Sequence, residues 1–168
     1  MDSVVAVDLG GTKLTAAMVD ATGKISYRTK AAVERGGVRV CVEQIAHAVR
    51  QAISTAGLGK EQVRAIGVIV PGIHFANTGN VWAPNLWGHE QVPLRAELER
   101  NLTFPVVIDS DRAGYVLGEQ WLGVARGLND IVFLAVGTGI GAGIISGGRL
   151  LRGSGDIAGA VGWFALTA

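Results

Sequence analysis

At 168 residues, 49% of them hydrophobic, the chain is long enough to bury a substantial core in one domain, or in one domain and part of a second. A net charge of +1, from 15 basic and 14 acidic residues, leaves no electrostatic footprint for nucleic acid or an acidic membrane surface. The single cysteine, Cys41, excludes an internal disulfide framework and a cysteine-rich zinc site within the chain; no signal-peptide pattern and no run of roughly 18 apolar residues is present, which points to a cytoplasmic protein.

Residues 4–19 read as strand, tight turn and strand. An apolar run rich in β-branched residues ends in Asp8, meets Gly10, Gly11 and Thr12, and gives way to a second apolar run. Gly10 and Gly11 can take backbone angles closed to other residues and let the chain approach a ligand, so their N–H groups are candidates to line an anion site, with the Thr12 hydroxyl as a further donor. Asp8 is a hard oxygen ligand suited to magnesium, which keeps most of its waters and bridges to nucleotide phosphates. An ordinary hairpin is the default for an isolated Gly-Gly pair, and Asp8 and Lys13 on either side tilt this one toward phosphate. A turn at 20–24 and a third antiparallel strand over 25–33 complete a meander. Val38, Cys41, Ile45, Ala48, Val49, Ala52, Ile53 and Ala56 then recur at three- and four-residue steps, predicting an amphipathic helix closed by Gly57 and Gly59, with Cys41 in the core.

Val63–Val70 has the character of a buried strand and ends in Pro71-Gly72, where a glycine lets the backbone approach a ligand. Asn77-Thr78-Gly79-Asn80 is a hairpin tip, and Trp82 and Trp87 flank Pro84-Asn85 either as a wall for a sugar ring or as aromatic packing under a loop. His47, His74 and His89 have no metal-type spacing. A helix over 95–101 is polar enough to read as surface cover only. A strand through 104–109 runs into a helix over Asp111–Leu122, with Ser110 as its N-cap. Asp111 then sits in the first turn, where the macrodipole favours its ionised form. A carboxylate so held can orient a substrate hydroxyl and take its proton during phosphoryl transfer, although acids in first turns often serve only as caps. Asp109 is expected to share a face with Asp111 and has no assigned role.

Residues 132–145 repeat the opening pattern, an apolar strand passing through Gly137-Thr138-Gly139 into a second strand. Two phosphate-type hairpins more than about a hundred residues apart suggest related half-structures gripping one nucleotide. Gly137-x-Gly139-x-x-Ala142 also fits a degenerate dinucleotide fingerprint, but that form needs a helix next, and 143–148 is too short and glycine-rich to supply one. The sheet begun at Ile131 receives no covering helix before Ala168, so its apolar face is expected to drive self-association or partial disorder.

Asp8-x-Gly10-Gly11-Thr12-Lys13, Val70-Pro71-Gly72, Ala83-Pro84-Asn85-Leu86-Trp87-Gly88, Ser110-Asp111, Leu117-Gly118-Glu119 and the glycine-rich run from Gly137 to Gly143 occur in one order. Together they resemble the ROK family of bacterial sugar kinases and sugar-responsive repressors, within the actin-like ATPase superfamily. The resemblance spans nearly all of the chain. It implies an α/β, actin-like (ribonuclease H-like) fold with a mixed sheet flanked by helices, a first domain over 1–118 and the start of a second over 119–168. It further implies an ATP- and magnesium-dependent kinase acting on a hexose or amino-sugar hydroxyl, in a cleft between two such domains. By matching positions, Asp8, Gly10, Gly11, Thr12 and Lys13 form the first phosphate loop, Asp8 holding magnesium through water, and Gly137, Thr138 and Gly139 form the second. Gly72, Asn85, Ser110 and Asp111 lie on the sugar side, with Asp111 as catalytic base.

The chain departs from the family in three places. Ser110 stands where members usually carry asparagine, and a serine still donates one hydrogen bond. Ala160 and Trp163 stand where the family's Ala-Gly-Glu-x-Gly-His motif has glutamate and histidine, and losing two polar contacts at roughly 0.5 to 3 kcal/mol each weakens sugar binding by orders of magnitude unless the sugar differs. The family's zinc-binding cysteine cluster and adenine-side helices are not in this chain, so the resemblance is to the N-terminal half and no zinc site is expected. The expected partner is a small-molecule sugar, with no nucleic acid and no membrane, and with a homodimer or other self-association. A non-catalytic sugar- or nucleotide-binding module, a degenerate kinase, is the alternative that Ala160 and Trp163 favour. The repressor branch is disfavoured because the first strand begins with no room for a helix-turn-helix before it, and a chaperone-type ATPase lacks support from Pro84-Asn85 and Ser110-Asp111.

Overall fold

The computed structural model describes residues 3–137 and 139–164. The chain packs into two compact units, Met1–Asp109 and Ser110–Ala168. The division between these units falls where a strand passes into a helix.

In the first unit, β1 (Ser3–Leu9), β2 (Lys13–Asp20) and β3 (Ile25–Ala32) form the expected antiparallel meander. α1 (Val38–Ala56) follows, and β4 (Val63–Val70) returns parallel to β1, so the sheet is mixed. Strand order is β3-β2-β1-β4-β8, where β8 is Val106–Ser110. Alternation decides the faces: Val5, Val7 and Leu9 of β1 and Leu14, Ala16 and Met18 of β2 point into one core, which α1 covers with Val42, Ile45, Ala46, Val49 and Ala52. Each such aliphatic side chain contributes on the order of 1.5–3 kcal/mol by leaving water. α1 ends as a glycine dictates, with Gly57 in the left-handed region at φ 66°. Gln44 ties it to the end of β3, its Nε2 donating to the Ala32 carbonyl at 2.6 Å. Cys41 is buried on this helix, and burial pushes its thiol up, away from reactivity.

A small antiparallel sheet, β5 (Ile73–Phe75), β6 (Asn80–Trp82) and β7 (Gln91–Val92), leaves the end of β4; the tip expected at 77–80 lies at 76–79, because Asn80 already pairs with Phe75. α2 (Pro84–Trp87) lies between β6 and β7. α3 (Leu94–Leu102) corrects the expectation of a surface cover. Leu94, Leu98 and Leu102, spaced four apart, are all buried in the main core, so a narrow stripe of three leucines suffices where polar residues fill the rest of the helix.

In the second unit, α4 (Asp111–Leu122) packs against β9 (Ile131–Val136) and β10 (Ile140–Ser146), which continue antiparallel into β11 (Arg149–Leu150). This corrects the expectation that the sheet begun at Ile131 has no helix: the helix that covers one face precedes the sheet in the chain. Ala113, Val116, Ala142 and Ile145 are buried there, and the rings of Tyr115 and Phe133 meet at 5.7 Å. The opposite face of β9 stays open, with Val132, Leu134 and Val136 between 58% and 72% exposed. No helix among the described residues is long and apolar enough to cross a membrane.

Candidate functional site

In the first unit the candidate residues lie at the ends of β1 and β4. Asp8 is half-buried near the end of β1, and Gly11, Thr12 and Lys13 of the following turn are exposed. The Gly10 amide donates to the Lys13 carbonyl at 2.8 Å, closing the turn. That bond removes Gly10 from the donors expected to meet an anion and leaves Gly11 and Thr12 to present theirs. Neither Gly10 nor Gly11 has a positive φ, so the expected use of angles closed to other residues is not what selects glycine here. At Gly10 the reason is space, because a Cβ would stand 3.1 Å from the Lys13 carbonyl oxygen. At Gly11 a Cβ would meet open space, the condition for close approach by a ligand. A hard carboxylate beside an exposed turn with a hydroxyl and a lysine is a donor set that fits magnesium-bound phosphates.

Gly72 does require its backbone freedom. Its φ is +121°, and a Cβ would overlap the Trp82 carbonyl oxygen across the start of the β5–β6 pairing. The contact holds the end of β4 against Trp82 and Ala83, from which α2 departs with Pro84 at its first position and Asn85 exposed. Gly88 closes α2, its amide donating to the Pro84 carbonyl at 3.1 Å. Of the two tryptophans, Trp87 packs against the core and donates Nε1 to the Glu90 carbonyl at 3.3 Å, which is the packing role. Trp82 is half-buried with its ring 6.5 Å from that of His89. Among the described residues no group of three or more His, Cys, Asp and Glu is placed to hold a metal.

In the second unit Ser110 caps α4 as expected, its Oγ accepting from the Ala113 amide at 3.3 Å. Asp111 is half-buried in the first turn, and one carboxylate oxygen accepts from the Arg112 amide at 2.8 Å. Burial pushes its carboxyl above the ordinary carboxylate range, against the Arg112 amide and guanidinium, which pull it down. The net shift therefore runs opposite to the one the helix terminus alone would give, because removal from water outweighs the nearby dipoles. A raised carboxyl is the better proton acceptor near neutral pH. Asp109 lies within β8 while Asp111 opens a helix, so the period-two relation expected between them does not apply.

Gly137 and Gly139 are exposed in the turn between β9 and β10, with the Gly137 amide donating to the Gly139 carbonyl at 2.9 Å. Gly137, like Gly10, donates its amide back across its own turn. Thr138 lies outside the described residues. The segment carrying Ala160 and Trp163 lies along β10, where the Ala142 amide donates to the Gly159 carbonyl at 2.7 Å. A Cβ on Gly159 would overlap the Ala142 carbonyl oxygen, and one on Gly162 would stand 2.5 Å from that of Ile140. These two spacer glycines were passed over at the level of sequence, where only their repetition marks them. The segment presents Trp163, 65% exposed, and a half-buried Ala160.

The sequence matches the ROK family over residues 4–167. It is 30% identical over 159 residues to a glucokinase of Halalkalibacterium halodurans, covering 94% of this chain and 48% of that protein. It is 33% identical over 167 residues to a xylose repressor of Caldicellulosiruptor bescii, covering 95% of this chain and 40% of that protein. The fold superposes with a TM-score of 0.87 on a ROK family glucokinase from Streptomyces griseus in complex with glucose and AMPPNP, at 32% identity, covering 98% of this chain and 51% of that one. The α/β architecture is thus that of the actin-like ROK kinases, and the chain spans about half the length of the relatives it matches.

Proposed function

The chain belongs to the ROK family, and from that premise we propose that it supplies the N-terminal half of an ATP-dependent sugar kinase, transferring a phosphoryl group to a hydroxyl of a hexose or amino sugar. The observation that carries the reading is Asp111: a half-buried carboxylate with its proton affinity raised, held in the first turn of α4 by the Ser110 cap. In this role Asp111 accepts the proton of the sugar hydroxyl as its oxygen bonds to the γ-phosphorus and the bond to the β-phosphate oxygen breaks, ADP leaving. Gly11, Thr12 and Lys13, and likewise Gly137 and Gly139, are assigned to phosphate by their match to the family's two phosphate loops. Asp8 would hold magnesium, which would neutralise phosphate charge when bound. Gly72 and Asn85 serve the sugar side, Gly72 by fixing the backbone from which Asn85 departs.

A second reading, a sugar- or nucleotide-binding module without turnover, is favoured by Ala160 and Trp163. Their backbone keeps its glycine-spaced seat on β10 while the side chains offer neither a carboxylate nor an imidazole. Calorimetric titration with magnesium-ATP, and separately with glucose, mannose and N-acetylhexosamines, tests both. Saturable sugar binding that Asp111→Ala removes, with ATP binding retained, is the expected result. Sugar binding untouched by Asp111→Ala refutes the base assignment.

A further inference from the structure

Gly143 is buried in the middle of β10, and its φ is not in the left-handed region, so backbone conformation does not select glycine there. Space does. A Cβ on Gly143 would overlap the carbonyl oxygen of Arg112 and stand 2.7 Å from the Cβ of Val116. Arg112 and Val116 are one turn apart on the same side of α4. The helix therefore lies on β10 at a distance that only a residue without a side chain allows, and the point of closest approach is its first turn. The same turn carries Asp111, whose carboxylate accepts from the Arg112 amide at 2.8 Å, and it is fixed from the other side by the Ser110 cap on Ala113. Gly141, two residues earlier on the same face of β10, provides a contrast. A Cβ there would meet Arg112 Cδ at 2.8 Å, an atom of the side chain and not of the helix backbone.

We propose that Gly143 is a positioning residue for Asp111. By bringing the first turn of α4 onto β10, it sets the carboxylate in a fixed place relative to the Gly137–Gly139 turn, which β10 continues. The inference rests on the reading of Asp111 as the base for its functional meaning, and on the packing of the second unit alone for its geometry. It gives the glycine-rich run two tasks: phosphate approach at its start and helix seating at its end. Neither β9 nor β10 places a titratable side chain against Asp111, so its surroundings within these elements are steric and apolar, with Arg112 the charged neighbour on its own helix.

The test is amide hydrogen exchange on the whole chain, wild type against Gly143→Ala, together with calorimetric titration of glucose. The expected result is a loss of at least about tenfold in protection at the Arg112 and Ala113 amides, with the amides of β1, β4 and β10 keeping theirs. Glucose affinity is expected to fall by about tenfold or more, and Gly141→Ala to lower both readouts by less than Gly143→Ala does. Unchanged protection at Arg112 and Ala113 in a folded Gly143→Ala protein overturns the proposal. Should Gly143→Ala unfold β9 and β10 as well, Val116→Ala, which trims the helix side of the same contact, is read instead. Lowered protection confined to the first turn of α4 supports the seat, and unchanged protection overturns it. Protection that falls while glucose affinity holds upholds the seat and refutes Asp111 as a sugar-side group, which separates the two readings.

Discussion

The two units use the same elements to different degrees of completion. In the first, one face of a five-stranded sheet is closed by α1 and α3, and the core is continuous from Val5 to Ile108. In the second, among the described residues, three strands receive one α-helix, and the reverse face of β9 remains apolar and exposed at Val132, Leu134 and Val136. Burial per residue is what offsets chain entropy, so the first unit has the means to stand alone and the second holds a smaller reserve. The residue read as the base sits in the less complete of the two. Its placement depends on local devices, the Ser110 cap and the closely seated first turn, more than on a deep core.

The largest expected effect follows from that contrast. Leu98→Ala removes a fully buried side chain from the stripe that anchors α3, and should cost about 2–5 kcal/mol of the first unit's stability. Trp82 and Trp87 report on that unit, and Trp121 and Trp163 on the second, so replacing one pair by phenylalanine lets urea unfolding be followed in each separately. The transition seen by Trp82 and Trp87 should move to lower urea while the other moves little. Equal shifts in both would mean that the two units unfold as one and that their difference in closure has no thermodynamic consequence.

Much of this was legible in the chain, for reasons that can be named. Alternation in residues 4–19 and the three- and four-residue steps from Val38 to Ala56 are long periodic signals, and the strands and helix they predict are present. Ser110 was readable as a cap because a hydroxyl before a helical run has few other uses. The core role of α3 was hidden because Leu94, Leu98 and Leu102 are diluted among charges, so average polarity masked a regular stripe. The direction of the Asp111 shift was not legible because the dipole is a local property of the helix start, whereas desolvation depends on what packs around it. The spacer roles of Gly143 and Gly159 were out of reach for the same reason: each is defined by a carbonyl from a distant stretch of chain.

A smaller effect, opposite in sign, is expected from Asp111→Asn. The folded protein raises this carboxyl above its unfolded value, so its stabilising form is the protonated one. That contribution is fully present below the ordinary carboxylate range and is lost as pH rises through the raised folded value. A neutral amide should therefore make the second unit more stable than wild type at neutral pH, and the advantage should shrink to nothing in acid. Urea unfolding followed through Trp121 and Trp163 across this range checks the sign. An Asn variant less stable than wild type at neutral pH would show that the carboxylate is held by favourable contacts rather than tolerated in spite of burial.

The smallest effect on stability is expected where the two units differ most. Leu134→Lys places a charge on the open face of β9, where the leucine is 58% exposed and has little burial to lose, so the change in unfolding free energy should stay within about 0.5 kcal/mol. Its effect on association should be the larger one. Val132, Leu134 and Val136 line one side of an edge strand that carries no charge, the kind of surface that pairs with copies of itself unless a charge interrupts it. Light scattering behind size exclusion should show wild-type mass rising with concentration and the lysine variant nearer to monomer. A wild-type chain that stays monomeric across the range would mean that the open face is not adhesive, and the expected self-association would have to be given up. Association that survives Leu134→Lys would move the contact elsewhere, to the exposed Trp163 and Phe164 in the first instance.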